Sequence, residues 1–170
     1  MEALKELTNH TKLECTISLL IYLLHDKNKS GRAAAVSMLG KIGTPAVPAL
    51  MNALSCKNWI VRFRSAEALG TINDARVIHK LIHTLDDEND HVRYMAAKGL
   101  GKIGDIHAAR TLVKKLKDEN EFVRKSAAKA LGLIRGSESY TALLDALYDE
   151  KSPIVRDSIY DSLSKLKAEK

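Results

Sequence analysis

Two histidines one helical turn apart, His79 and His83, stand at a spacing that can seat two ligands of one metal ion. Lys80 lies between them, no glutamate occupies that stretch and no third ligand accompanies them. The spacing therefore reads as a charged helix face, and no metal is assigned. A second pattern sets acids before bases. Asp26, Asp87 and Asp118 precede Arg32, Arg93 and Arg124 by six residues, and Asp149 precedes Arg156 by seven. One carboxylate beside one guanidinium can do acid–base chemistry, but a pair that recurs along a chain reads as scaffolding. An arginine fork can tie a carboxylate and the helix ends of an adjacent unit together. Cys56 breaks the column before Arg62. The clusters Asp86-Asp87-Glu88 and Asp118-Glu119 fall in turns, where surface charge is the simpler reading than a general-acid/base site. No nucleophile–base pair or glycine-rich phosphate loop is present, so no catalytic residue and no cofactor is assigned.

The elements that carry these residues follow a fixed ruler. Arg32, Arg62, Arg93, Arg124 and Arg156 recur at spacings of 30, 31, 31 and 32 residues. Seven residues after each comes a leucine (Leu39, Leu69, Leu100, Leu131, Leu163), followed in the first four by a glycine (Gly40, Gly70, Gly101, Gly132). A period near 31 predicts a solenoid in which each unit touches only its neighbours. Within one period, Val123, Ala127, Leu131 and Ile134 form the buried stripe of a first helix, with Lys125 and Lys129 outward. After a turn at Arg135-Gly136-Ser137, a second helix turns Leu143, Leu144 and Leu147 inward. Each helix is expected to run about 13 residues, roughly 20 Å.

The punctuation agrees with this reading. Asn28, Asn58, Asn89 and Asn120 are placed to cap first helices, and Ser152-Pro153 opens the last one. Gly43, Asn73 and Gly104 are expected to end first helices, and Thr44, Asp74 and Asp105 to cap second helices. Thr11 and Glu14 suit a capping box for a helix running to about His25. Each repeated mid-helix glycine costs about 1 kcal/mol against alanine. Close approach between the two helices of one unit is the expected reason. The fold class is all-α: an α-α superhelix of about five antiparallel helix pairs plus end caps. It forms one array over 1–170, with units near 1–27 (partial), 28–57, 58–88, 89–119, 120–150 and a cap at 151–170.

The runs Val92-Arg93-Tyr94-Met95-Ala96-Ala97-Lys98-Gly99-Leu100-Gly101 and Val123-Arg124-Lys125-Ser126-Ala127-Ala128-Lys129-Ala130-Leu131-Gly132 resemble HEAT repeats. More narrowly, they are similar to the short prokaryotic type of phycobilisome-lyase-like HEAT proteins, across about residues 12–167. The resemblance implies a right-handed superhelix whose second helices line the concave side, and a role in binding other proteins. The HEAT-like deoxyhypusine hydroxylases hold iron with His-Glu pairs. None of the six histidines here is followed by glutamate, which sets that enzyme aside.

Read along the implied concave side, the outward positions change from apolar to neutral to basic to acidic. Leu19, Tyr22 and Leu23 supply the apolar end, and Glu138 and Asp145 the acidic one. The centre carries Arg76, His79, Lys80, His83, His107, Arg110, Lys114 and Lys115. A net charge of +6 suits an acidic protein partner. Nucleic acid is disfavoured because no Tyr, Phe or Trp interleaves the patch, although weak, salt-sensitive phosphate binding is an alternative. The expected function is a non-catalytic protein-binding scaffold; an accessory subunit of a lyase or other modifying enzyme is the other reading. The helix from Thr11 to His25 is apolar almost all round. The segment Glu2 to Thr8, through Leu4 and Leu7, is expected to cover part of it, and a homodimer or a partner the remainder. The final helix turns Asp157, Asp161, Lys165 and Lys167 outward as a polar cap. Ile17 to Leu24 is too short to span a bilayer, and no signal peptide is apparent. Cys15 and Cys56 lack CxxC or histidine companions. Reduced thiols and a cytoplasmic location are expected.

Overall fold

Asparagine side chains fix where the first helix of each unit begins. Asn28 accepts from the Ser30 N–H, Asn58 from Ile60, Asn89 from His91 and Asn120 from Phe122, each at 2.8–3.1 Å. The computed structural model describes the backbone of residues 2–134 and 136–167, and side chains from residue 10 onward except Arg135, Ser137 and the last three. From each cap runs a helix of 14 residues: α2 (Lys29–Ile42), α4 (Trp59–Ile72), α6 (Asp90–Ile103) and α8 (Glu121–Ile134). Asn73 and Gly104 end α4 and α6 in the left-handed conformation.

The second helices are shorter than the sequence suggests. α3 (Val47–Ala53), α5 (Ile78–Thr84) and α7 (Ala109–Lys115) have seven residues each and follow a three-residue 3-10 turn. Asp74 and Asp105 cap those turns by accepting from Arg76 and His107 N–H groups. Thr44 does not cap. The first turn is short, so Gly43 both ends α2 and precedes the 3-10 turn, which places Thr44 inside it. The array closes with α9 (Ser137–Asp149) and α10 (Pro153–Lys167). In α9 Leu143 is fully buried but Leu144 is 45% exposed, because no further second helix packs on that side among the described residues.

At the other end, α1 (Glu2–Leu23) is one continuous helix, with no Gly or Pro in it to break the run. Thr11 lies inside that helix, so the Thr11–Glu14 capping box is not formed. The side chains of Leu4 and Leu7 lie outside the described residues. Ile17, Leu20 and Leu24 join a continuous apolar core that extends through every unit to Leu163.

Arginines join unit to unit. Arg62 grips Asp87 of the next inter-unit turn through Nε and Nη2 at 2.7 and 2.8 Å, and gives Nη1 to the carbonyls of Cys56 and Lys57 in the turn before its own helix. Arg93 repeats this with Asp118 and the carbonyls of Asp87 and Glu88. Arg124 does so with Glu150, not Asp149. The last turn holds one more residue, which leaves Asp149 exposed and swings the next carboxylate into place. The hydrogen bond from Arg124, helped by the Ser152 N–H and opposed by burial, holds the Glu150 carboxyl below its ordinary range. Arg62 and Arg93 are held above theirs, chiefly by hydrogen bonding to Asp87 and Asp118.

Arg32 has carbonyl partners at Asp26 and Lys27, but its buried Nε has none. The carboxylate that would receive it is replaced by Cys56. Supplying one should complete the set. Cys56→Asp is expected to stabilise the protein by about 1 kcal/mol in urea unfolding, and the gain should vanish in an Arg32→Met background.

Glycines set how closely the first helices approach, though not within one unit as the sequence suggests. A Cβ on Gly70 would sit 2.6 Å from the Gly99 Cα, one on Gly101 2.8 Å from the Ala130 Cα, and one on Gly132 2.6 Å from the Ser162 Cβ. All three contacts join first helices of successive units. At Gly40 the neighbour is only the Thr71 methyl, at 3.3 Å. Gly70→Ala should therefore lower stability by about 1–3 kcal/mol despite its better helix propensity. Gly40→Ala should stay within about 1 kcal/mol of wild type, and thermal melts of the two variants check the contrast.

Candidate functional site

The face formed by the second helices carries the basic residues, and the same turns that cap these helices supply their counter-charges. Asp74 accepts from the Arg76 backbone and from its guanidinium, the shortest contact being 2.5 Å. The guanidinium bond is the main reason the Asp74 carboxyl lies below its ordinary range. Asp105 repeats the arrangement with His107, whose Nδ1 stands 2.6 Å from Oδ1. An ionised carboxylate only accepts, so the ring is the donor there. Backbone N–H bonding, then the His107 ring, lowers the Asp105 carboxyl, with His79 adding a smaller attraction. Lys115 reaches Asp86 at 2.8 Å and is largely covered. Lys80 donates to the Ser55 hydroxyl at 3.1 Å.

The eight basic residues thus do not act as one open cationic patch. Arg76, His107 and Lys115 are each tied to an acid. His83, Arg110 and Lys114 are exposed and have no ion-pair partner among the described residues. Arg110 borders a shallow groove of about 440 Å³ between α7 and α9, shared with Glu138 and Asp145. Basic and acidic columns therefore meet across one furrow. His79 and His83 are both exposed, and among the described residues no group of three His, Cys, Asp or Glu converges to hold a metal. At the amino-terminal end Leu19 is 58% and Tyr22 72% exposed, while Leu23 is half-buried against the core.

The sequence places Asp74 and Asp105 as caps and Asp86 in a turn cluster, but does not show them as counter-charges to the basic face. Two of them had a signal, since each stands two residues before a basic side chain at a helix start, where one carboxylate can bond both backbone and side chain. Asp86 had none, because its contact with Lys115 spans two units.

The profile of HEAT repeats matches residues 17–93 and 78–164. The chain belongs to the HEAT-repeat family. No curated protein matches its sequence. Among solved structures, a chain from the complex of CpcE and CpcF of phycocyanin lyase from Nostoc sp. PCC7120 is 26% identical, with a TM-score of 0.82. The alignment covers 87% of this chain and 98% of that one. YibA of E. coli aligns at 23% identity with a TM-score of 0.67, covering 89% of this chain and 59% of that one. A chain of the complex of Kap95p with RanGDP aligns at 15% identity and a TM-score of 0.71, over 92% of this chain and 24% of that one. The last two likenesses concern the fold alone. No single helix of this HEAT protein, among the described residues, is long and apolar enough to cross a membrane.

Neutralisation of the second-helix face can be measured. Replacing Asp74, Asp86 and Asp105 together with asparagine keeps the caps at 74 and 105 and frees Arg76, Lys115 and His107 from their carboxylates. The variant should elute from heparin at higher salt than one in which Asp157, Asp161 and Glu14 become amides, an equal change in net charge elsewhere. Identical elution would show that these carboxylates do not govern the face.

Proposed function

We propose that this HEAT protein is a non-catalytic, cytoplasmic scaffold that holds a second protein on the face of its second helices. The observation that carries the reading is the likeness to a chain of the CpcE–CpcF complex, over 87% of this chain and 98% of that one. Three features of this chain support it. The units are locked by buried arginine–carboxylate pairs, so the face is rigid before anything binds. His83, Arg110 and Lys114 are left to meet acidic groups, and Glu138 and Asp145 stand alongside to fix orientation. Leu19 and Tyr22 add an apolar contact at one end. An acidic protein segment suits this arrangement.

A second reading is that the chain is an accessory subunit of a lyase, because the relative at 26% identity comes from a phycocyanin lyase complex. In that case the chromophore chemistry requires the partner subunit as well.

Affinity capture from native lysate at two salt concentrations tests the proposal, comparing wild type with Arg110→Glu/Lys114→Glu and with Tyr22→Glu. A protein held by wild type and lost with the double variant is the expected result. Loss only with Tyr22→Glu would move the contact to the apolar end, and self-association lost with the same change would make it a homodimer site. Retention by both variants would overturn the docking site. A tetrapyrrole absorbance change on adding the captured partner would favour the lyase reading.

A further inference from the structure

The first-helix side of the molecule carries a groove that the proposed scaffold role does not use. It runs between α6 and α8, which are parallel and 14 residues long, and has a volume of about 790 Å³. Its floor is made of small residues, because Gly101 and Ala130 meet there at backbone distance. Ser126 ties the walls together by donating to the Tyr94 carbonyl at 3.2 Å.

Two rows of lysine flank this floor. Lys98 and Lys102 stand one turn apart on α6, as do Lys125 and Lys129 on α8, and all four line the groove. None of them has an ion-pair partner among the described residues. Asp90, at the groove's mouth, is already engaged by His91 and by the Asn120 side chain. Phe122 and Leu133, 53% and 50% exposed, close the two ends with apolar surface.

This charge is not required by the repeat. At the position of Lys98 and Lys129 the other first helices carry Ser37, Glu67 and Asp161. In α4 that acid is moreover consumed by Arg64, at 2.6 Å. At the α8/α10 seam the positions of α10 equivalent to Lys125 and Lys129 hold Asp157 and Asp161, so the lysine rows do not continue there.

We propose that the α6/α8 groove binds an amphipathic helix of a partner protein, with an apolar ridge flanked by carboxylates. The small floor lets a helix backbone approach, and ridge-into-groove packing seats a third helix over two parallel ones. Phe122 and Leu133 receive the ridge at its ends, and the lysine rows receive Glu or Asp on both flanks. Single-stranded nucleic acid fits less well. Tyr94 is packed against the core instead of being free to stack, which leaves Phe122 alone as a platform. A membrane surface fits less well too, since the apolar floor is recessed between the lysine rows.

The test is fluorescence anisotropy with a labelled synthetic helix as long as α6, carrying leucines at i, i+4, i+7 and i+11 and glutamates on both flanks. Saturable binding is expected, weakened at least about tenfold by Lys98→Glu/Lys129→Glu and by Phe122→Ala. Circular dichroism melts confirm that the variants fold. Arg110→Glu/Lys114→Glu, on the second-helix face, should bind the probe like wild type, which separates this groove from the scaffold site. No saturable binding, equal binding of a glutamine version of the probe, or displacement by oligothymidylate or phosphatidylserine vesicles would overturn the proposal.

Discussion

Arg62, Arg93 and Arg124 each close two gaps with one side chain. Nη1 takes up two carbonyls of the turn before its own helix, while Nε and Nη2 clasp a carboxylate of the next inter-unit turn. That carboxylate in turn accepts the N–H two residues later, at Asn89, Asn120 or Ser152. A turn end, a neighbouring turn and the start of a helix are thus set by a single planar group. The pairs are largely buried, with Arg93 8% and Asp118 5% exposed. Removing one partner of such a pair typically costs about 3–5 kcal/mol, because the other charge stays buried alone. Apolar packing between Ala- and Leu-rich helices would tolerate several rotations of one unit on the next. The bidentate fork tolerates far fewer, so it fixes the register in which the helical faces line up.

The glycine seam works with the forks. Once register is set, the distance between first helices is limited by whatever stands at the contact, and Gly70 against Gly99 lets two backbones nearly touch. Asn120 bonding to Asp90, and Ser152 bonding to Glu121 at 2.5 Å, add a lateral row between successive helix starts. Groove width on the first-helix side and furrow width on the second-helix side follow from the same spacing.

Much of this was legible in the sequence, for a physical reason. A repeat states its rules several times, so the arginine, leucine and glycine columns and the asparagine caps could be read by their recurrence. What recurrence could not give was the direction of a contact. The mid-helix glycines announced close approach without saying whether the neighbour was the same unit or the next. Asp149 looked like the last member of its column until the extra residue in its turn put Glu150 there instead. The binding face was the least legible. Arg76, His107 and Lys115 read as open charge because Asp74, Asp105 and Asp86 belong to turns, and a helix-by-helix reading does not lay turns beside helix faces. The continuous α1 was missed because Thr11 and Glu14 match a local capping pattern, although no Gly or Pro interrupts the helix there.

The missing carboxylate at Cys56 has a consequence for how the array comes apart. In a linear stack, stability is approximately a sum of unit terms and nearest-neighbour terms, so cooperativity is only as strong as the weakest seam. Every described seam from Arg62 onward is bridged by a fork, and the one between α2 and α4 is not. The molecule therefore divides thermodynamically into a short amino-terminal body, α1 to α3, and a longer clasped one. Local opening is favoured on the unclasped side, and the Leu19–Tyr22 end can fray while the faces built on α5 to α9 keep their shape.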